Sequence, residues 1–257
     1  MRRLLLTILT FVLAAGALTA CGRPRPVPQT AFEGAMDDWL RGMFADSPEL
    51  ASRTGADAAE AGENFKARLD NRSPAALERR RGAALRRLAE LRGLDTRALS
   101  PEQRVSYAAL DAQFTDIAAA AAFPFGRFDP LDGISPYVVS QLDGAYLDLP
   151  DFLDTRHPIA ALSDGDDYVA RLRQAAAALD GETQRVRADA AAGIIPPDFI
   201  LDRAIASLDA IAARPASAQA YVLSLRAKLA ALLPAGAPPQ DLSRAQALIA
   251  QAEQITR

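Results

Sequence analysis

Three times this chain sets Ser-Pro in front of an alanine- and leucine-rich run: Ser47-Pro48, Ser73-Pro74 and Ser100-Pro101. Proline at the first helical position gives up an N–H that would have no partner there, and the serine hydroxyl before it accepts from the backbone of the first turn. Each pair therefore opens a helix. Thr30 with Glu33, and Ser100 with Gln103, add full capping boxes. Behind these starts the apolar residues recur at helical spacing: Phe32, Met36, Trp39 and Met43; Leu77, Ala84, Leu88 and Leu91 before Gly93; Val105, Ala109 and Ala112 on the way to Ala122. Gly55 closes the short helix that Pro48 begins. Half of the residues are apolar but only 6% are aromatic, and the apolar share is mainly Ala and Leu, which favour helix over strand. The expected fold is all-α, a multi-helix array or bundle with little or no sheet.

The stretch from Ser163 to Asp198 predicts one long helix. Ser163 stands at its N-cap, Asp164, Asp166 and Asp167 suit the positive end of the helix dipole, and Tyr168, Leu172, Ala175, Leu179 and Val186 form one stripe. Gly193 ends it and Pro196 and Pro197 forbid continuation. Further helices carry Leu201, Ile205 and Leu208, then Tyr221, Leu225, Leu229 and Leu232, and finally Ala245, Leu248, Ala252 and Ile255 behind a cap at Asp241. The runs Arg79-Arg80-Arg81 and Arg86-Arg87 read as a solvated face.

From Phe123 to His157 the helical period disappears into Pro, Gly, Asp and aromatic residues, with a short helix expected from Pro150 to Thr155. A long irregular connection of this kind is either a functional wall or a packed lid. Phe123, Phe125, Phe128, Tyr137 and Gln141, with Ile195 and Pro196 from the later Gly193 to Pro197 turn, are the candidate cleft wall. The alternative is that the aromatic residues plug the end of the bundle.

At the other end, Arg2 and Arg3 precede an apolar run from Leu4 to Ala20, too short for a comfortable membrane span and flanked by small residues. Residues 1–20 read as a signal peptide. Leu18-Thr19-Ala20-Cys21 is similar to a bacterial lipobox, which would make Cys21 the acylated first residue of the mature chain and its attachment to a membrane. Residues 21–29, rich in proline, would be a tether, and residues 30–257 the helical domain. Gly22 fits an outer-membrane address facing the periplasm.

Little chemistry is available to such a sequence. One histidine and one cysteine, the latter destined for acylation, cannot build a conventional histidine-based zinc site. His157 alone would have to carry any histidine-based nucleophilic catalysis, and a satisfied surface or loop histidine is the simpler reading. Asp164-Gly165-Asp166-Asp167 fails the EF-hand spacing because Tyr168 occupies a ligand position. Acidic pairs such as Asp129 with Asp132, or Asp143 with Asp148, fit turns as well as acid–base chemistry. No phosphate-cradling glycine loop or nucleophile elbow is present. A net charge of −3, with 27 of the 29 basic residues arginine and dispersed over several helices, leaves no nucleic-acid groove. No catalytic or metal-binding residue is assigned.

Taken in order, Arg68-Leu69-Asp70-Asn71-Arg72-Ser73-Pro74, Ser100-Pro101-Glu102-Gln103-Arg104, Pro130-Leu131 through Leu149-Pro150, His157-Pro158-Ile159, Asp167-Tyr168 with Arg171-Leu172, and Gly193-Ile194-Ile195-Pro196-Pro197 form an ordered set. Over roughly Met36 to Arg257 this set resembles the N-terminal half of the domain-of-unknown-function-885 family of bacterial secreted and lipoprotein proteins. The resemblance implies a largely helical zinc metallopeptidase acting on peptides. The zinc-binding H-E-x-x-H helix of that family lies in its C-terminal half, and no residue here matches it. The expectation is therefore a cell-envelope lipoprotein whose chain is a truncated, non-catalytic scaffold, forming part of a peptide-binding cleft and packing against a separately encoded C-terminal half, with no cofactor of its own. A stand-alone helical interaction lipoprotein is the alternative. The two differ in whether a contiguous apolar face is left exposed.

Overall fold

Helices make up nearly all of the regular structure in residues 30–129 and 133–257, which the computed structural model describes. The leader, Cys21 and the tether lie outside these residues, as does Pro130-Leu131. An N-terminal lobe is built from α1 (Ala31–Asp46), α2 (Pro48–Thr54), α3 (Ala58–Ala61), α4 (Pro74–Arg92) and α5 (Pro101–Ala121). A short hairpin of β1 (Arg127–Asp129) and β2 (Gly133–Ser135) follows, antiparallel with Phe128 opposite Ile134. The C-terminal lobe contains α6 (Ala145–Thr155), α7 (Leu162–Leu172), α8 (Ala175–Ala191), α9 (Asp198–Ala212), α10 (Ala220–Leu232) and α11 (Pro239–Ile255). The fold is all-α, as the spacing requires.

The cap chemistry behaves as written in the sequence. Ser47, Ser73 and Ser100 accept from the backbone N–H of Leu50, Ala76 and Gln103, and Thr30 and Ser100 close reciprocal boxes with Glu33 and Gln103. Gly55 and Gly193 take the left-handed conformation at φ 73° and 81°. Between α1, α4 and α5, Phe32, Trp39, Leu91, Leu99 and Phe114 form the first core, with Trp39 edge-on to Phe114 and its Nε1–H donating to Glu90 at 2.6 Å. The larger core joins Leu149, Phe152 and Leu153 of α6 to Tyr168, Val169 and Leu172 of α7, Leu225 and Leu229 of α10, and Leu248 and Ala252 of α11.

Four expectations are corrected. The predicted long helix is two: Arg173 and Gln174 make a tight turn in which Gln174 N–H bonds to Arg171 O, three residues back. The cause is distant, because the Gln174 amide accepts from Leu69 N–H at 3.1 Å and donates to Ala67 O at 2.7 Å. Its start moves as well: α7 begins at Leu162, and it is Asp164, not Ser163, that accepts from Ala160 and Ala161 N–H at 2.8 and 2.9 Å. The helix expected from Pro150 begins at Ala145 and carries Pro150 inside it, because the buried Glu182 carboxylate caps Ala145 N–H at 2.7 Å. Asp241 lies in the first turn of α11 instead of capping it.

Candidate functional site

Where the lobes meet, side chains from six segments enclose a charged chamber with a cavity of about 90 Å³. Its centre is Arg72, on the connection before α4. The guanidinium donates to Glu49 of α2 at 3.1 Å, to Glu182 of α8 at 3.1 Å and to Asp148 of α6 at 3.4 Å. Glu182 thus holds Arg72 with one oxygen and the start of α6 with the other. Gly181 makes this possible: a Cβ there would stand 2.8 Å from the Arg72 carbonyl carbon, so only glycine lets α8 approach the connection so closely. Asp148 also pairs with Arg127 of β1 at 3.2 Å.

Beside Arg72, Glu49 and Asp70 hold each other through the backbone. Asp70 accepts from Glu49 N–H and Glu49 from Asp70 N–H, both at 3.0 Å, while Ser47 donates to Asp70 at 2.6 Å and Arg80 stands 3.6 Å away. Burial, and then the Glu49 charge, push the Asp70 carboxyl up to about 6. Burial also raises Asp148, against the pull of Arg127 and Arg72. For Arg72 burial works against the charge, and Glu49, Glu182 and Asp148 more than restore it, leaving its pKa raised. Arg185 differs: burial brings it down to about 10, its Nη2 donates to Gly126 O at 2.8 Å, and its Nε has no partner.

The arginine run of α4 is not the uniform solvated face expected. Arg79 and Arg86 are exposed, but Arg80 and Arg87 line the chamber, and Arg81 is buried, donating to Glu78 at 2.6 Å and to Phe125 O at 3.4 Å.

A second concavity, of about 350 Å³, is apolar. Tyr137 and Val138 from the irregular connection and Tyr146 of α6 face Ile194 and Pro196 from the turn after α8, with Leu179 and Val186 of α8 and Leu201, Ile205 and Leu208 of α9 along the sides. Of the candidate wall residues, Tyr137 and Pro196 meet here. Phe128 instead lines the charged chamber and packs on Leu77, Ala84 and Ala121. Phe123 is half exposed and edge-on to Phe125, Ile195 is exposed, and Gln141 is half-buried with its side-chain oxygen unpartnered; none of these four lines the groove.

His157 is satisfied, but in the core and not at the surface. Its Nδ1 accepts from Arg171 at 2.8 Å and its Nε2–H donates to Asp164 O at 2.9 Å, which makes it the neutral Nε2 tautomer. Burial, with Arg171 and Lys228 nearby, lowers its pKa to about 4. Arg171 is itself fully buried, donating to Arg68 O, Phe65 O and Ser52 Oγ and lying over the Phe152 ring. Among the described residues no three of His, Cys, Asp or Glu converge as metal ligands, so the zinc that the resemblance implies has no matching donor set there. Among the same residues no helix is long and apolar enough to cross a membrane.

The sequence matches no curated protein. The fold matches the crystal structure of a candidate lipoprotein from Colwellia psychrerythraea with a TM-score of 0.77 and 21% identity, over 87% of this chain and 38% of that one. The chain thus spans less than two fifths of that protein's length. Residues 48–257 match the family described as bacterial protein of unknown function (DUF885). That match takes in the apolar groove, Arg72 with its three carboxylates and all of the two lobes but α1, and this chain belongs to the DUF885 family.

Proposed function

We propose that this chain is the helical scaffold portion of a cell-envelope lipoprotein, docking through α8 and α9 onto a further polypeptide segment and supplying one wall of a peptide-binding cleft. The observation that carries this reading is the outer face of α9. Ala204 is its one buried side chain, while Ile205 and Leu208 are 54% and 39% exposed beside the exposed Leu179 and Val186 of α8, all four along the groove. A contiguous apolar face of this kind is what an unpartnered docking surface presents to water. Its continuation into the groove brings the irregular connection and the Gly193 to Pro197 turn to the same place. The share of the Colwellia protein that the chain spans is in keeping with a partner segment of comparable size or larger. Zinc and peptide hydrolysis, which the family resemblance implies, would belong to that segment. Membrane attachment would come from acylated Cys21.

Co-expression of the full chain with an H-E-x-x-H-bearing segment from the same genome tests the docking. The two should co-elute, and Ile205→Lys with Leu208→Lys should separate them while leaving the circular dichroism of the chain unchanged. Separate elution of the unsubstituted pair would reject the scaffold reading and favour the stand-alone interaction protein. Mass spectrometry of the mature N-terminus should find acyl chains on Cys21, and Cys21→Ala should release the chain from the membrane fraction.

A further inference from the structure

The chamber at the lobe junction holds more positive charge than its internal pairs use. Arg72 faces three carboxylates. Arg185 faces none within ion-pair distance among the described residues, although it is only 8% exposed. Among the described residues its single hydrogen bond is from Nη2 to Gly126 O, and its Nε is buried without a partner there. Arg87, also in the lining, has Asp46 no closer than 3.9 Å. A guanidinium does not discharge at any physiological pH, and the charges of Glu182 and Asp189 on the same helix offset the burial of Arg185 only in part, so a desolvation penalty remains that a bound anion would relieve.

Space is present for one. Water needs roughly 10–15 Å³ of such volume, so about 90 Å³ takes several waters or one small organic ion. The remaining lining fixes its character. Met43, Leu50 and Phe128 offer an apolar wall, which an inorganic ion would not use. Glu49, Asp70 and Glu182 border the same space and would repel a second negative charge. From this geometry we infer that the chamber binds a small monocarboxylate, its oxygens meeting the Arg185 guanidinium where it lines the cavity and its hydrocarbon part lying against Met43, Leu50 and Phe128. The planar fork of arginine suits a carboxylate, and such charge-assisted bonds are among the stronger ones. This site is separate from the apolar groove and does not depend on the docking proposed above.

The test is thermal unfolding of the full chain against sodium butanoate, sodium phosphate and sodium chloride at matched ionic strength. Butanoate should raise the Tm saturably where chloride does not, and Arg185→Gln should weaken its apparent affinity at least about tenfold. Should Arg185→Gln fail to fold, Arg87→Gln serves as the second variant, with a smaller loss of affinity expected. No saturable shift with butanoate in the unsubstituted chain overturns the inference, as does unchanged affinity in the folded variant. A saturable shift with phosphate but not butanoate overturns the carboxylate assignment.

Discussion

Two arginines organise this molecule, Arg171 fully buried and Arg72 nearly so, and they are satisfied in opposite ways. Arg171 has no carboxylate within ion-pair distance among the described residues; it is closed off by the carbonyls of Arg68 and Phe65, the Ser52 hydroxyl, the His157 ring and the face of Phe152. Arg72 takes three carboxylates from α2, α6 and α8 and leaves its own Nε unpartnered beside a cavity. Neutral acceptors fixed in the backbone make a rigid knot with no room in it. Charged acceptors on side chains make a junction whose strength depends on protonation and whose space stays open. The first arrangement ties α7 to the connection ahead of α4, and the second joins α2, α6 and α8 around a space.

Replacing each arginine by methionine should separate the two most sharply. Arg72→Met strands Glu49, Glu182 and Asp148 out of water and should cost about 3–5 kcal/mol at pH 7, less toward pH 5 as Asp148, already raised by burial, takes up a proton. Arg171→Met leaves only neutral acceptors unmet. It should cost about 3 kcal/mol, and urea titrations at the two pH values should show a much flatter dependence than for Arg72→Met. Next in size is His157. Its folded pKa of about 4 lies below the unfolded value of 6.5, so the folded state binds fewer protons between these limits. Stability is fully present above pH 6.5 and falls by on the order of 3 kcal/mol as pH drops through about 4. Asp70 acts with the opposite sign, since its raised pKa means that stability declines as pH rises from about 4 to about 6. His157→Gln should remove the acid-side loss, and Asp70→Asn should steepen it; pH-dependent thermal unfolding reads both.

Smaller effects come from two helix glycines. A Cβ at Gly181 meets the backbone of Arg72 and Ser73 at 2.8–2.9 Å, so Gly181→Ala should cost about 1–3 kcal/mol and loosen the Arg72 junction. At Gly165 the close atom is the Leu248 Cδ1 methyl, which can move. Gly165→Ala should come out within about 1 kcal/mol of neutral, because alanine also favours the helix. Equal costs at the two positions would mean that the Arg72 connection yields as easily as a side chain, and the contrast between a rigid approach and a soft one would be lost.

What could be read in the sequence was what is decided locally. A serine cap acts three residues away, so Ser47, Ser73 and Ser100 announce their helices without any knowledge of the fold. The chamber was not readable, because Glu182 reaches Arg72 across 110 residues and Ala145 across 37. The same holds for the break at Gln174, which answers backbone groups more than 100 residues earlier. One signal was available and passed over. Glycine in the middle of a helix gives up about 1 kcal/mol relative to alanine, so Gly181 inside an alanine-rich run marked a close crossing, and Glu182 stands next to it. The groove was half readable: the two irregular stretches that line it were both singled out, but Ile194 rather than Ile195 lines it.

The Arg171 knot has a mechanical side. Pro48 and Ser52 lie before the exposed Gly62-Glu63-Asn64 stretch and Phe65 and Arg68 after it, and all four offer their oxygens to the same guanidinium. A protease that cuts at Gly62 therefore leaves two fragments clasped by one side chain, travelling together through a sizing column and parting only in denaturant.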